Sequence, residues 1–157
     1  MTGQPDPVDR VRSALAALGA EDTVQRFSND VPTAADAARE LGCDVAAIAN
    51  SLVFELDGEP LLVLASGAAR IDTRLVAASL GARRVRRASA DFVLEHTGQQ
   101  VGGVAPVGHP TALRTLLDAS LAAHQVLWAG AGDHRSMFSI SFDTLRRITG
   151  ATVMEVR

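Results

Sequence analysis

The sequence predicts an α+β fold, a curled and mixed β-sheet with helices packed outside it. Three observations carry that expectation. Two β-rich apolar runs, "IANSLVFEL" and "LLVLASG", flank the Asp57-Gly58 pair of "DGEP", which is the pattern of a tight hairpin. Further short strand-like runs are interspersed with short capped helices, too irregularly for strict strand–helix alternation. The chain has 157 residues, 47% hydrophobic and 21% charged, enough to bury about two-thirds of its unfolded surface as an ordinary globular domain.

The elements follow in chain order. Residues 1–6 form a Pro-containing lead expected to fray, and residues 1–157 read as one domain. Val8, Val11, Leu15 and Leu18 recur at helical spacing, so a helix is expected over residues 7–19, stopped by Gly19. "TVQRFS" alternates as a short strand does. Thr33, with Asp36 three positions on, opens a helix in the manner of a capping box, and Gly42 ends it. Beyond the hairpin, Asp72 caps a helix with Leu75 and Leu80 on one face and Gly81 as terminator. "ARRVRRA" suits a short strand, and "SADFVLEHTG" a helix from Ser89 to about His96. "QVLWAGAG" reads as a buried strand entering a glycine turn. "SMFSIS" is another strand, "SFDTLRRITG" a capped helix and "ATVMEVR" a closing strand.

Composition excludes several classes of chemistry. The net charge of −3 is not that of a polycation that coats nucleic acid indiscriminately. All 15 basic residues are arginine, so no lysine is present to form a Schiff base. Cys43 is the single cysteine, which rules out an internal disulfide or a multi-cysteine metal site. The four histidines, His96, His109, His124 and His134, form no ligand-spaced pair, so neither a metal nor another cofactor is expected. No phosphate-binding glycine motif follows a strand, and no "GxSxG" elbow is present. No apolar run approaches the ~20 residues of a membrane span, and the lead lacks the order of a signal peptide. A cytoplasmic location without membrane contact is therefore expected.

Two stretches carry candidate chemistry. In "VGGVAPVGHP", glycines permit close backbone approach and Pro106 stiffens the turn ahead of Gly108. The loop reads either as a tight connection or as a backbone-built site for a carbonyl or carboxylate oxygen. In "RRVRR", Arg83, Arg84, Arg86 and Arg87 read either as phosphate contacts or as charges guarding an edge strand. His109 and His134 each follow a glycine-rich turn, where a histidine can polarise a substrate. Ser51 and Ser66 are hydroxyls beside strands.

Together, "IANSLVF", "LLVLASGAARIDTRLVAASLGARRVRRAS" and "TGQQVGGVAPVGH" resemble the YbaK/ProX/EbsC family of aminoacyl-tRNA deacylases, a domain also inserted in bacterial prolyl-tRNA synthetases. The resemblance runs from about Phe27 to Val156. It implies a sheet of six to seven strands and metal-free, substrate-assisted hydrolysis of mischarged aminoacyl-tRNA. The bond cut is the ester to a small non-cognate amino acid, the enzyme acts in trans, and an aminoacyl-tRNA synthetase is an implied partner. The family's carbonyl-holding loop falls on Gly102, Gly103, Pro106 and Gly108, with Val104 between them. Its pocket histidine falls in the turn Gly130–His134, which favours His134 over His109. Its pocket lysine is replaced by Asn50, and Arg70 is the nearby residue that could restore charge.

The expected catalytic set is thus Asn50, Gly102, Gly103 and His134. Ser51, Ser66, Arg70, Val104, Pro106, Gly108 and Gly130 are expected at the substrate. Arg83, Arg84, Arg86 and Arg87 are expected at the acceptor stem, and Phe54, Leu64, Val104 and Met137 to set pocket size. The replacement by Asn50 also motivates an alternative, a non-catalytic domain that binds a tRNA end or an aminoacyl small molecule. A third reading is an interaction subunit docking on a synthetase through its first helix.

Overall fold

The helices begin where a polar side chain closes their first turn. The computed structural model describes residues 6–157. The lead expected to fray therefore lies mostly outside the described residues. Asp6, its last residue, accepts a hydrogen bond from Val8 N at 2.9 Å and starts α1 (Pro7–Ala17). Thr33, Asp72, Ser89 and Ser141 cap α2 (Ala34–Leu41), α3 (Thr73–Leu80), α4 (Ala90–Thr97) and α5 (Phe142–Thr149) in the same way. Each of these four helices ends at a glycine. On α3 the buried residue is Val76, while Leu75 stays exposed. Two turns of helix carry too few apolar positions for spacing alone to fix which one faces the sheet.

The strands are β1 (Gln25–Arg26), β2 (Ile48–Leu56), β3 (Glu59–Ser66), β4 (Val85–Arg87), β5 (Arg114–Asp118), β6 (Leu127–Gly130), β7 (Ser136–Ile140) and β8 (Thr152–Met154). They form one mixed sheet in the order β1-β7-β6-β2-β3-β5-β8, with β4 added against β2. The architecture is the helix-flanked mixed sheet expected, with eight strands among the described residues. Asp57 and Gly58 both have positive φ, 49° and 88°, so the β2–β3 connection is the two-residue hairpin the sequence signals. The Asp57 carboxylate also accepts from Arg83 N at 3.1 Å and Arg84 N at 2.8 Å, tying the start of β4 to the turn. These two N–H donors hold its pKa below the ordinary carboxylate value.

Alternation along β3 divides the core between two faces. Leu62 and Leu64 join Val11 and Leu15 of α1, Val93 of α4 and Leu145 of α5. Leu61, Val63 and Ala65 join Val76 of α3 and Val85 of β4 on the other face. On that second face, α2 covers Ile48 and Met137 through Ala37 and Ala38.

The second edge of β2 is shared between two strands. Ile48 and Ala49 pair in parallel with Trp128 and Ala129 of β6. Phe54 to Leu56 pair antiparallel with β4. Between these ends, Asn50 to Leu52 have no strand on that side among the described residues. The sheet forks there.

Candidate functional site

A cavity of about 490 Å³ lies in the fork, within the range usual for small-molecule sites, roughly 300–1,000 Å³. Asn50, Ser51 and Leu52 form one wall, Gly102 and Val104 of the glycine loop another, and Arg70, Ile71 and Arg87 its rim. Successive strand side chains normally face opposite ways. Because the edge of β2 is open, Asn50 and Ser51 nevertheless both border the cavity. A recess of about 30 Å³ adjoins it and shares Asn50, Ser51, Gly102 and Val104 as walls. Gly130, Asp133, Ser136 and Met137 close the recess on its far side.

The glycine loop is held by His109 and His134, and by Gln99, which the sequence reading did not single out. Gln99, almost fully buried, accepts from Ala105 N at 2.7 Å and donates to Val107 O at 3.5 Å. His109 Nε2 donates to Ala105 O at 2.8 Å, which puts its proton on that nitrogen because a carbonyl only accepts. Burial pushes the His109 pKa below its ordinary value, partly offset by the bond to Ala105 O. His134 Nε2 lies 2.8 Å from Val101 O, which it therefore bonds as a donor. Both histidines thus brace the loop.

Two glycines are dictated by close approach. A Cβ on Gly103 would stand 2.8 Å from the Asp133 backbone, and one on Gly130 would stand 2.9 Å from Val104 O. The loop and the β6–β7 turn therefore touch backbone to backbone, and this contact shapes the recess.

The structure gathers most of the expected site residues but not all. Asn50, Ser51, Arg70, Gly102, Val104 and Arg87 line the larger cavity, and Gly130 lines the recess. Gly103 supports the wall from behind. Ser66 stands apart: its hydroxyl donates to Ala46 O at 2.9 Å and its N–H to the buried Asp118 at 2.9 Å. Pro106 and Gly108 border neither space. Pro106 is buried, and Gly108 packs against Val11 of α1, with room for a Cβ only 3.1 Å from that side chain. His134 also borders neither space. Of the size-setting residues, Phe54, Val104 and Met137 are lining residues, while Leu64 is wholly buried elsewhere.

The arginine cluster divides by position. Arg86 pairs with Glu55 at 2.9 Å, whereas Arg87 lies over the Phe54 ring, 5.7 Å from its centre, at the cavity rim. The segment Pro32–Ala34, which walls both spaces, carries no sequence signal beyond the Thr33 cap. Among the described residues no group of three or more His, Cys, Asp or Glu is placed to hold a metal ion. No described helix is long and apolar enough to cross a membrane.

Residues 28–148 match the aminoacyl-tRNA editing domain, and the chain belongs to that family. It is 31% identical over 132 residues to the uncharacterized protein YwhH of Bacillus subtilis, covering 83% of each chain. It is 27% identical over 132 residues to the proline–tRNA ligase of Lactobacillus gasseri, covering 84% of this chain but 22% of that enzyme. A solved structure described as a candidate trans-editing enzyme for prolyl-tRNA synthetase superposes with a TM-score of 0.90, at 33% identity and 99% coverage of both chains. The family and these relatives support a role in tRNA editing, with aminoacyl-tRNA and a synthetase as the associated partners.

Proposed function

We propose that this chain, acting in trans as one cytoplasmic domain, hydrolyses the ester joining a small non-cognate amino acid to tRNA. The observation that carries the reading is the fork in β2, where a cavity meets an open strand edge, a glycine loop and two arginines. A water oxygen adds to the ester carbonyl carbon and the acyl C–O bond breaks. A proton passes to the departing ribose oxygen, leaving a free amino acid and an uncharged tRNA end. The tRNA's own terminal hydroxyl assists in this reading.

The chain's own groups position the ester. The backbone at Gly102 approaches the carbonyl, and the Asn50 amide hydrogen-bonds the tRNA terminus. A neutral hydrogen bond is about half as strong as a charge-assisted one, so Asn50 alone replaces a lysine poorly. Arg70 and Arg87 at the rim supply the missing positive charge to the terminal phosphates. Arg83, Arg84 and Arg86 extend that field along the acceptor stem, while Gly103 and His134 hold the loop in register.

Single-turnover deacylation of a panel of tRNAs mischarged with small amino acids tests the reading. The wild-type chain is expected to release at least one of them, and Asn50→Ala to slow that release about tenfold, the factor carried by one modest hydrogen bond. An unchanged rate in Asn50→Ala removes Asn50 from the mechanism. The asparagine itself favours a second reading, a domain that binds the tRNA end without turnover. Tight binding of uncleaved aminoacyl-tRNA by the wild-type chain, with hydrolysis gained only in Asn50→Lys, establishes that one instead.

A further inference from the structure

Both ends of the glycine loop reach back to one residue. Gln99, at its start, accepts from Ala105 N at 2.7 Å, and His109, at its end, donates from Nε2 to Ala105 O at 2.8 Å. Ala105 is wholly buried, so each of its two polar backbone groups needs a partner inside the protein. A side chain meets each of them, where a neighbouring strand or helix ordinarily would. Gln99 also donates to Val107 O at 3.5 Å, a second and longer hold on the same segment. Neither Gln99 nor His109 borders the cavity or the recess.

The two arms start from fixed points. Gln99 N donates to the Thr97 hydroxyl at 3.0 Å, and that hydroxyl donates to Val93 O at 2.7 Å, so the first arm is tied to the end of α4. His109 follows Gly108, where an added Cβ would stand only 3.2 Å from the Val11 backbone, so the second arm is seated on α1. Between the arms lie Gly102 and Val104, which wall the cavity. That stretch belongs to no strand or helix. A glycine-rich segment without a ladder of its own opens easily and samples many conformations. The hold on Ala105 restrains it from behind and leaves its cavity side bare of side chains.

We infer that Gln99 and His109 are positioning residues for the ester hydrolysis: by holding Ala105 at both polar groups, they fix Gly102 and Val104 relative to the ester carbonyl. This rests on the editing reading and gives it two residues that act without touching substrate. Groups that meet charge developing in a transition state must be held to within about 0.5 Å. A misplacement of about 1 Å costs up to about a hundredfold in rate. A glycine backbone has no rotamer with which to correct such an error, so its accuracy comes from what stands behind it.

Single-turnover hydrolysis by an excess of the full chain, over the panel of mischarged tRNAs, gives a saturating rate and a half-saturating protein concentration. Denaturant unfolding of each variant gives its folded fraction. Gln99→Met and His109→Leu roughly keep side-chain size and remove the hydrogen bonds. Each is expected to lower the saturating rate at least about tenfold and to move the half-saturating concentration less than about twofold. His109→Gln, which keeps an N–H for Ala105 O, is expected to recover most of the rate lost in His109→Leu. The double variant is expected to lose less than the product of the two single losses, because both act through Ala105. Gln99→Asn, a milder change that shortens the arm by one methylene, carries the same test should Gln99→Met fail to fold. A merely structural role lowers the rate only as the folded fraction falls. Rates that follow the folded fraction, or equal losses in His109→Gln and His109→Leu, overturn the inference and leave the editing reading intact. No hydrolysis of any tRNA in the panel by the wild-type chain overturns both.

Discussion

The two parts of β2 do different things with the same backbone. From Phe54 to Leu56 the strand is paired on both sides, with β3 and with β4, and its apolar side chains belong to the core. From Asn50 to Leu52 it is paired with β3 alone, and there it borders a cavity. The hairpin holds register along the whole length, from Ala49 opposite Ser66 to Leu56 opposite Glu59. The open part is therefore as well positioned as the closed part while remaining accessible. An unpaired strand edge is ordinarily a liability; here loops and helix ends, the Pro32–Ala34 segment and the glycine loop among them, enclose it.

Leucine truncation at the two places breaks this comparison most forcefully. Leu61, opposite Phe54 at the closed end, is 0% exposed, and Leu61→Ala is expected to cost about 2–5 kcal/mol of unfolding free energy. Leu52→Ala, at the open part, is expected to cost less than about 1.5 kcal/mol and to act mainly on substrate binding. Denaturant titration of both variants measures the contrast; equal losses mean the fork is packed shut in solution.

Arginine truncation sharpens it further. Arg87→Ala is expected to weaken tRNA binding about tenfold and to lower the salt slope by about one. Arg86→Ala, whose guanidinium is engaged by Glu55 at 2.9 Å, is expected to do less. Binding isotherms at several salt concentrations read both numbers, and equal effects would move the acceptor path away from the cavity rim.

The smallest expected effect is on acid stability through the glycine loop. The pKa of His109 is lowered from 6.5 by burial, so the folded protein favours the neutral ring and the unfolded chain binds the proton more readily. The stabilisation is complete above the unfolded value near 6.5 and is lost as pH falls through the lower folded value. His109→Gln keeps a side-chain N–H for Ala105 O and should flatten this acid-side decline. Unfolding midpoints measured on both sides of that value check it; an unaltered slope in His109→Gln assigns the pH dependence to another group.

Much of this was legible in the chain because the signals are local. Asp72 and Ser89 cap the helices they precede, and Asp57-Gly58 makes the turn it predicts, because cap and turn involve atoms only two to three residues apart. Strand β5 carried no such signal. "RTLLD" is short, lacks β-branched residues other than Thr115, and is followed by a helical turn, yet it pairs in parallel with β3 and with β8. The resemblance located Asn50, Gly102, Val104 and Gly130 at the cavity and recess, and also suggested Pro106 and Gly108, which lie elsewhere.

The sequence by itself determined the helix starts and stops, the central hairpin, the glycine loop and the family, all of which rest on short-range geometry or motif. Only the tertiary structure decided that β6 and β4 meet β2 at opposite ends and leave the edge between them open. Ile48 meets Trp128 and Phe54 meets Arg87 across long separations in the chain. Such pairings are chosen by how whole faces of the sheet are buried, a property of the assembled core that no short window of residues contains.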